Sequence, residues 1–192
     1  ALIVCVKIYL VMDSSASMND NSQDAVLVNH IRKLKHGVTY GADATFFSVH
    51  GTSGAIQAMV MSVVSDGDKI IIPRNVHKSI TTGIILAGAI PVYMTPEFDK
   101  NLGIAHGVTK ATVEEALKNN PDAKAVLIIN PTYYGVATEI KAIANLVHSY
   151  NIPLIVDEAH GPHLAFSEKL PISALEAGAD ICAQSTHKII GA

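Results

Sequence analysis

Three short segments of the sequence combine residue types that could perform chemistry. One is Gln184-Ser-Thr-His-Lys188, in which a lysine follows two hydroxyl residues and a histidine at the end of an apolar run. Burial lowers the pKa of a lysine amine, and a neutral amine is a nucleophile towards an aldehyde. Most lysines are solvated surface charges, so position alone leaves the role of Lys188 open.

A carboxylate follows another apolar run. Asp157 comes directly after Ile152 to Val156 and opens the segment Asp157-Glu-Ala-His-Gly161. The carboxyl ends of parallel strands form the ligand crevice of α/β sheets, although by spacing alone Asp157 could equally cap a turn. His160 and His163 lie in a Gly-Pro turn and not on one helical face, so we expect no metal site.

The third segment is Gly51-Thr-Ser-Gly54, between a predicted strand and a predicted helix. Its glycines allow close approach of a ligand, Thr52 and Ser53 add hydroxyl donors, and the free amides of a helix start favour phosphate. Many such turns bind nothing, so this signal is weak by itself.

The elements that must position these segments alternate along the chain. Short β-rich runs are separated by stretches of helical period, and several runs are apolar on consecutive residues, which is typical of parallel strands buried on both faces. The pattern predicts a three-layer α/β/α fold with a mostly parallel central sheet. The predicted strands are 45–49, 69–73, 90–94, 123–129, 153–156 and 180–184, and the predicted helices are 24–36, 53–65, 77–87, 112–119, 139–150 and 172–177, with a loop at 13–23.

Composition narrows the class of protein. With 14 Lys+Arg against 17 Asp+Glu in 192 residues and no basic run, the sequence does not indicate a nucleic-acid surface. Two cysteines are too few for a disulfide framework and favour a reducing, cytoplasmic compartment. The apolar start, residues 1–12, is short and contains Lys7, so we expect a strand and not a membrane or signal segment.

Together with three further segments, these motifs resemble the major domain of the ornithine/lysine/arginine decarboxylases, which depend on pyridoxal phosphate (PLP). The resemblance implies the large-domain fold of the PLP-dependent transferases. Residues 24–192 would form part of that domain, while residues 1–23 match it poorly and His50 stands where the family usually has Asn. The matching segments are Gly41-Ala-Asp, His50-Gly-Thr-Ser-Gly54, Pro73-Arg-Asn-Val-His-Lys78, Asn130-Pro-Thr-Tyr-Tyr-Gly135, Asp157-Glu-Ala-His-Gly161 and Ser185-Thr-His-Lys188.

The resemblance also implies roles for individual residues. Lys188 would hold PLP as a Schiff base, Asp157 would face the pyridine nitrogen, and His77 would stack on the ring as the third catalytic residue. His160 would lie beside the ring. The phosphate contacts would come from Thr52, Ser53, Gly54, Ser185 and His187.

The implied reaction is decarboxylation of a basic amino acid, lysine, arginine or ornithine, to a polyamine-type product. The family builds its sites at a dimer interface, so a homodimer or other homo-oligomer is expected. Two alternatives stay open: a truncated, catalytically silent fragment of the fold, and a PLP aminotransferase or lyase. Because the chain stops four residues after Lys188, we expect little activity from it in isolation.

Overall fold

A parallel sheet forms the centre of the protein. The computed structural model describes residues 8–12, 39–48 and 51–189. Its main strands are β1 (Ile8–Met12), β2 (Ala44–Phe47), β3 (Lys69–Pro73), β4 (Ile90–Met94), β7 (Ala125–Ile129), β8 (Leu154–Glu158) and β9 (Ile181–Ser185), while β5 (Phe98–Asp99) and β6 (Ile104–Ala105) form a separate antiparallel hairpin. The seven-stranded sheet has the order β2-β1-β9-β8-β7-β3-β4, and every pairing in it is parallel. The predicted parallel sheet is confirmed.

Helices cover both faces of the sheet and complete the predicted three layers. They are α1 (Gly51–Val63), α2 (Lys78–Ala87), α3 (Lys110–Asn119), α4 (Ile140–His148) and the short α5 (Thr186–Ile189). Residues of α1 and α2 share one buried cluster with Ile155 and Ala183 of the central strands. Residues of α3 and α4 share the other cluster with Val156 and Cys182. Adjacent strand residues therefore face opposite helical layers, as strand geometry requires.

Capping residues mark the ends of two of the helices. Thr109 caps α3 by accepting a hydrogen bond from the Thr112 N–H at 3.2 Å. Gly88 ends α2 in the left-handed conformation, φ 69°, which a glycine adopts without steric cost. The predicted apolar stripe of α4 is confirmed, because its four members are buried: Ile140, Ile143, Ala144 and Val147.

Two features differ from the sequence-based expectations. Residues 172–177 are not a helix but a single turn, in which the Ala177 N–H donates to the Ser173 carbonyl at 2.9 Å. Gly178, with φ 103°, ends the turn, because this backbone conformation does not continue a right-handed helix. The hairpin of β5 and β6 was not predicted, because strands of two residues show no alternation.

Other expectations fall partly or wholly outside the described residues. Three of them lie wholly outside the described residues: the predicted helix 24–36, the predicted loop 13–23 and His50. Within residues 1–12, the described part is a strand, β1, which pairs between β2 and β9. Among the described residues, the helices are all too short or too polar to cross a membrane.

The packing of α1 against α2 yields a stability prediction. A Cβ atom added to buried Gly83 of α2 would lie 3.1 Å from the Val60 Cβ and 3.2 Å from the Gln57 Cα on α1. We expect Gly83→Val to lower the free energy of unfolding by about 1–3 kcal/mol, because the two helices must move apart. Urea unfolding measures the loss. Thr81→Val, at an exposed position of the same helix, is the control, and equal stability of the two variants would contradict the close contact.

Candidate active site

A cleft of about 740 Å³ opens at the carboxyl ends of four neighbouring strands, β3, β7, β8 and β9. The start of α1 and the hairpin of β5 and β6 complete its walls. The cleft brings together seven of the nine predicted site residues, namely Thr52, Ser53, His77, Asp157, His160, Ser185 and Lys188. Gly54 is in the first turn of α1 but does not line the cleft, and the side chain of His187 lies outside the described part of the structure.

Asp157 supplies a buried carboxyl group at the floor of the cleft. It is 4% exposed, and its Oδ1 accepts a hydrogen bond from the Ala159 N–H at 3.1 Å. Burial raises the pKa of this carboxyl above its ordinary value, while the Ala159 hydrogen bond and the charges of Lys188 and His77 act in the opposite direction. A carboxyl in this environment favours binding of a ligand that places an N–H donor or a positive charge next to it.

The start of α1 offers donors to an anion. Gly51 has φ 71°, a conformation that favours glycine, and the helix begins there. The first amides of a helix have no partner within the helix, and the helix dipole makes that end attractive to negative charge. The Thr52 hydroxyl is buried and hydrogen-bonds to the Ser185 hydroxyl at the end of β9. This end of the cleft therefore combines amides with hydroxyls from Thr52, Ser53 and Ser185.

Lys188 and His160 form a contact within the cleft. The Lys188 Nζ lies 3.1 Å from the His160 Nε2. Burial is the main factor that lowers the pKa of His160, and the charges of Lys188 and His77 lower it further. A neutral His160 ring can accept a hydrogen bond from the Lys188 ammonium through Nε2, which leaves its own proton on Nδ1.

His77 is held by the helix that it caps. Its Nδ1 accepts a hydrogen bond from the Ser79 backbone N–H at 3.2 Å and lies 2.8 Å from the Ser79 hydroxyl oxygen. A backbone N–H can only donate, so Nδ1 is the acceptor in this contact, and the neutral form of the ring is the tautomer with its proton on Nε2. The ring therefore lines the cleft with its orientation set by two contacts from α2.

The cleft also contains aromatic residues to which sequence reasoning gave no role. Tyr133 and Tyr134 are 78% and 56% exposed, and the Tyr133 ring meets the His160 ring edge to face at 5.6 Å between centroids. The motif Asn130-Pro-Thr-Tyr-Tyr-Gly135 was visible in the sequence, and two aromatics beside a strand end were a usable signal. Phe98, from the hairpin, lines the same cleft and had no such signal.

A second buried carboxyl, Glu158, follows Asp157 but does not line the cleft. Its Oε1 accepts a hydrogen bond from the Ala174 N–H at 2.7 Å, and its Oε2 accepts one from the Gln184 side-chain amide at 2.6 Å. Burial raises the pKa of Glu158 to about 7, against the effect of these two hydrogen bonds. The described residues include no cluster of three or more His, Cys, Asp or Glu side chains that could hold a metal ion.

Comparison with known families gives a match over most of the chain. The model of the Orn/Lys/Arg decarboxylase major domain matches residues 29–192. The chain is 59% identical over 152 residues to an arginine decarboxylase of Bacillus subtilis (strain 168), covering 79% of this chain and 31% of that protein. It is 33% identical over 172 residues to the lysine decarboxylase LdcA of Pseudomonas aeruginosa, covering 80% of this chain and 23% of that protein.

The fold has a matching neighbour among solved structures. Lysine decarboxylase A from Pseudomonas aeruginosa superposes with a TM-score of 0.74 at 29% identity, covering 85% of this chain and 24% of that one. The chain thus spans about a third or less of the length of the relatives that it matches.

The pKa of Glu158 leads to a pH-dependence prediction. Below about pH 4.5 both folded and unfolded states are protonated at this group; as the pH rises from 4.5 to about 7, the unfolded state releases its proton first. Glu158 therefore contributes its full share of the free energy of unfolding at low pH. This contribution, on the order of 3 kcal/mol, is lost as the pH rises through 7. We expect Glu158→Gln to remove this loss, so that the stability of the variant rises relative to the parent between pH 4.5 and 8.

The difference between the two stability curves, measured by urea unfolding, isolates Glu158, because all other groups titrate in both proteins. Glu114→Gln is the control, since Glu114 is an exposed carboxylate whose pKa is lowered by its hydrogen bond to Lys118. Parallel curves for the Glu158→Gln variant and the parent would show that Glu158 does not titrate in this range.

Proposed function

The chain belongs to the Orn/Lys/Arg decarboxylase family, and from this premise we propose that residues 24–192 form part of the PLP-binding major domain of an enzyme that decarboxylates a basic amino acid. One observation carries the proposal: the buried carboxyl of Asp157 and the amine of Lys188 line the same cleft as the start of α1. The three groups match the three chemically distinct parts of PLP, which are a basic ring nitrogen, an aldehyde and a phosphate.

The residues fit this cofactor by charge and by size. A cleft of about 740 Å³ is within the usual range for small-molecule sites, roughly 300–1,000 Å³. The phosphate would be bound by the amides at the start of α1 and by the hydroxyls of Thr52, Ser53 and Ser185, with Gly54 and His187 as further predicted contacts. The ring would lie against the face of His77, with His160 beside it.

Asp157 would hold a proton on the pyridine nitrogen. The burial that raises the pKa of Asp157 also removes water that would screen its charge, so a protonated ring nitrogen opposite the carboxylate is strongly favoured. When bound, PLP supplies an electron sink for the electron pair that remains when carbon dioxide leaves. The carboxylate of Asp157 would stabilise the positive charge on the ring nitrogen on which this chemistry depends.

Lys188 would attach the cofactor through its amine. An ammonium group is not a nucleophile, so the Lys188 Nζ must lose a proton before it reacts with the aldehyde. The His160 Nε2 lies 3.1 Å from Nζ and is positioned to accept that proton. The Tyr133 ring contacts the His160 ring edge to face.

The substrate would be a basic amino acid, and the product an amine of the polyamine type together with carbon dioxide. Arginine is the first substrate to test, because the relative with 59% identity is named an arginine decarboxylase and the one with 33% identity a lysine decarboxylase. Carbon dioxide release from arginine, lysine or ornithine, by this chain or by a longer protein that contains it, would identify this function. PLP binding without carbon dioxide release in both would identify a silent fragment. Transfer of the amino group without carbon dioxide release would instead identify an aminotransferase.

We further propose that the protein acts as a homo-oligomer, a homodimer being the simplest, in the cytoplasm. Exposed aromatic side chains at the mouth of the cleft support this proposal, because a group of exposed apolar side chains is typical of a protein–protein interface. They are those of Tyr133, Tyr134 and Phe98. The Cys182 thiol is buried and free, in keeping with a reducing compartment. Light scattering on the purified protein, with and without PLP, measures the oligomeric state.

Attachment of PLP to Lys188 is directly testable. We expect borohydride reduction of the PLP-loaded chain to leave a pyridoxyl mass on the peptide containing Lys188, and Lys188→Ala to abolish it. Lys78→Ala is the matched control, since Lys78 is an exposed lysine next to His77 and should leave the adduct unchanged. A pyridoxyl mass on another lysine of the parent chain would refute the assignment.

The phosphate site predicts a separate effect. We expect Thr52→Ala and Ser53→Ala each to weaken PLP binding by about 1.5–3 kcal/mol, because each removes a hydrogen bond to a charged group. Titration followed by the absorbance of bound PLP gives the dissociation constants. Ser62→Ala, in the last turn of α1, removes a hydroxyl that donates to the Met59 carbonyl and serves as the control. Dissociation constants equal to the parent's would place the phosphate elsewhere.

A further inference from the structure

The two motifs that carry the proposed catalytic residues are joined by a hydrogen bond outside the cleft. Glu158, from the motif of Asp157, accepts from the side-chain amide of Gln184, from the motif of Lys188, at 2.6 Å. The two residues are direct partners in the register of β8 and β9, and both side chains have no exposed surface. Glu158 also accepts the Ala174 N–H at 2.7 Å and so ties the turn before β9 to the same point.

The pair lies on the opposite face of the sheet from the cleft. Successive residues of a strand point to opposite faces. Val156 and Cys182 belong to the cluster of α3 and α4, so Glu158 and Gln184, two residues further along, face the same layer. Asp157 and Ser185, each one residue away in sequence, face α1 and the cleft. Any shift of β8 against β9 at the pair therefore moves Asp157 relative to Ser185 and Lys188.

The stability of the fold does not by itself explain why two polar side chains are buried at this position. Among the described residues, no cation lies within salt-bridge distance of Glu158, and the Gln184 Oε1 has no hydrogen-bond partner. An apolar pair of similar volume would avoid the cost of removing a carboxyl group from water. A hydrogen bond has a defined length and direction, which an apolar contact lacks, and so it can specify one strand register.

The segment that follows His160 packs closely against Glu158. A Cβ atom added to Gly161 would lie 2.5 Å from the Glu158 Cγ and 2.8 Å from the Pro131 Cδ, so only glycine fits without movement of these neighbours. The Gly161 N–H donates to the Glu158 carbonyl at 2.9 Å. The turn that carries His160 is thus built directly on Glu158.

We propose that Glu158 and Gln184 are a positioning pair, whose hydrogen bond sets β8 against β9 and thereby sets Asp157 relative to Ser185 and Lys188. The pair touches neither substrate nor cofactor and acts through the residues on the other face of the sheet. The consequence for cofactor binding rests on the proposed function, whereas the consequence for the position of Asp157 does not.

The test is a charge swap across the pair. At pH 8 or above, Gln184→Glu removes the amide donor and faces one carboxyl with another across a contact of 2.6 Å, a pair that must either repel or share a proton. Adding Glu158→Gln restores a carboxyl–amide pair in reverse order. Gln184→Met, similar in length but without a donor, serves as a second disruptive variant that keeps an apolar side chain in the core. Gln57→Glu, a partly buried position on α1, is the control for the added charge.

The first readout is hydrogen exchange of the Ala159 N–H in the chain without ligand, because this amide donates to the Asp157 carboxyl. We expect exchange at Ala159 to be about tenfold faster in Gln184→Glu and Gln184→Met, corresponding to about 1.4 kcal/mol, with amides of α4 unchanged. The double variant should return Ala159 to the parent's rate. Acceleration at Ala159 and in α4 alike, or no recovery in the double variant, would overturn the proposal.

The second readout is the PLP dissociation constant of the same variants. We expect it to rise by about tenfold in the two disruptive variants and to recover in the double variant. Unchanged PLP affinity in variants with faster Ala159 exchange would overturn the link between the pair and the cleft. If the parent itself does not bind PLP, the proposed function fails, and the exchange data still decide whether the pair positions Asp157.

Discussion

The burial of a carboxyl group at the end of a central strand is the constraint on which the rest of the site depends. Asp157 is almost inaccessible to water, and burial raises its pKa. The group becomes a stable carboxylate only with a hydrogen-bond donor and a positive charge nearby, and the structure provides the Ala159 N–H on one side and Lys188 and His77 at longer range. A ligand with a protonated ring nitrogen, such as the proposed cofactor, would complete this set.

Parallel pairing explains how the other groups reach Asp157. Because β3, β7, β8 and β9 are adjacent and parallel, the loops that follow them meet at one edge of the sheet. Four residues that line the cleft come from the segments that follow these four strands: His77, Tyr133, His160 and Lys188. Alternation along β8 and β9 then assigns Asp157 and Ser185 to the cleft and Glu158 and Gln184 to the core.

Much of this arrangement could be predicted from the sequence. Consecutive apolar residues in β7 and β8 identified strands buried on both faces, and strand ends identified Asp157 and Lys188 as candidates. The turn at 172–177 was predicted as a helix, because its apolar residues have helical spacing; the Ala174 N–H, however, donates to Glu158, a partner that lies 16 residues earlier in the chain. The roles of Tyr133 and Phe98 depend on long-range packing for which local sequence contains little information.

The protonation state of the bound cofactor tests the central claim most directly. The chain is loaded with PLP labelled with ¹⁵N in the ring, and the ¹⁵N resonance is recorded at pH 7 to 8 for the parent and for Asp157→Asn. We expect a protonated pyridine nitrogen in the parent and an unprotonated one in the variant, because the Asp157→Asn change removes the negative charge that holds the proton. An unprotonated nitrogen in the parent, or the same resonance in both proteins, would contradict the assignment of Asp157 and the orientation of the cofactor derived from it.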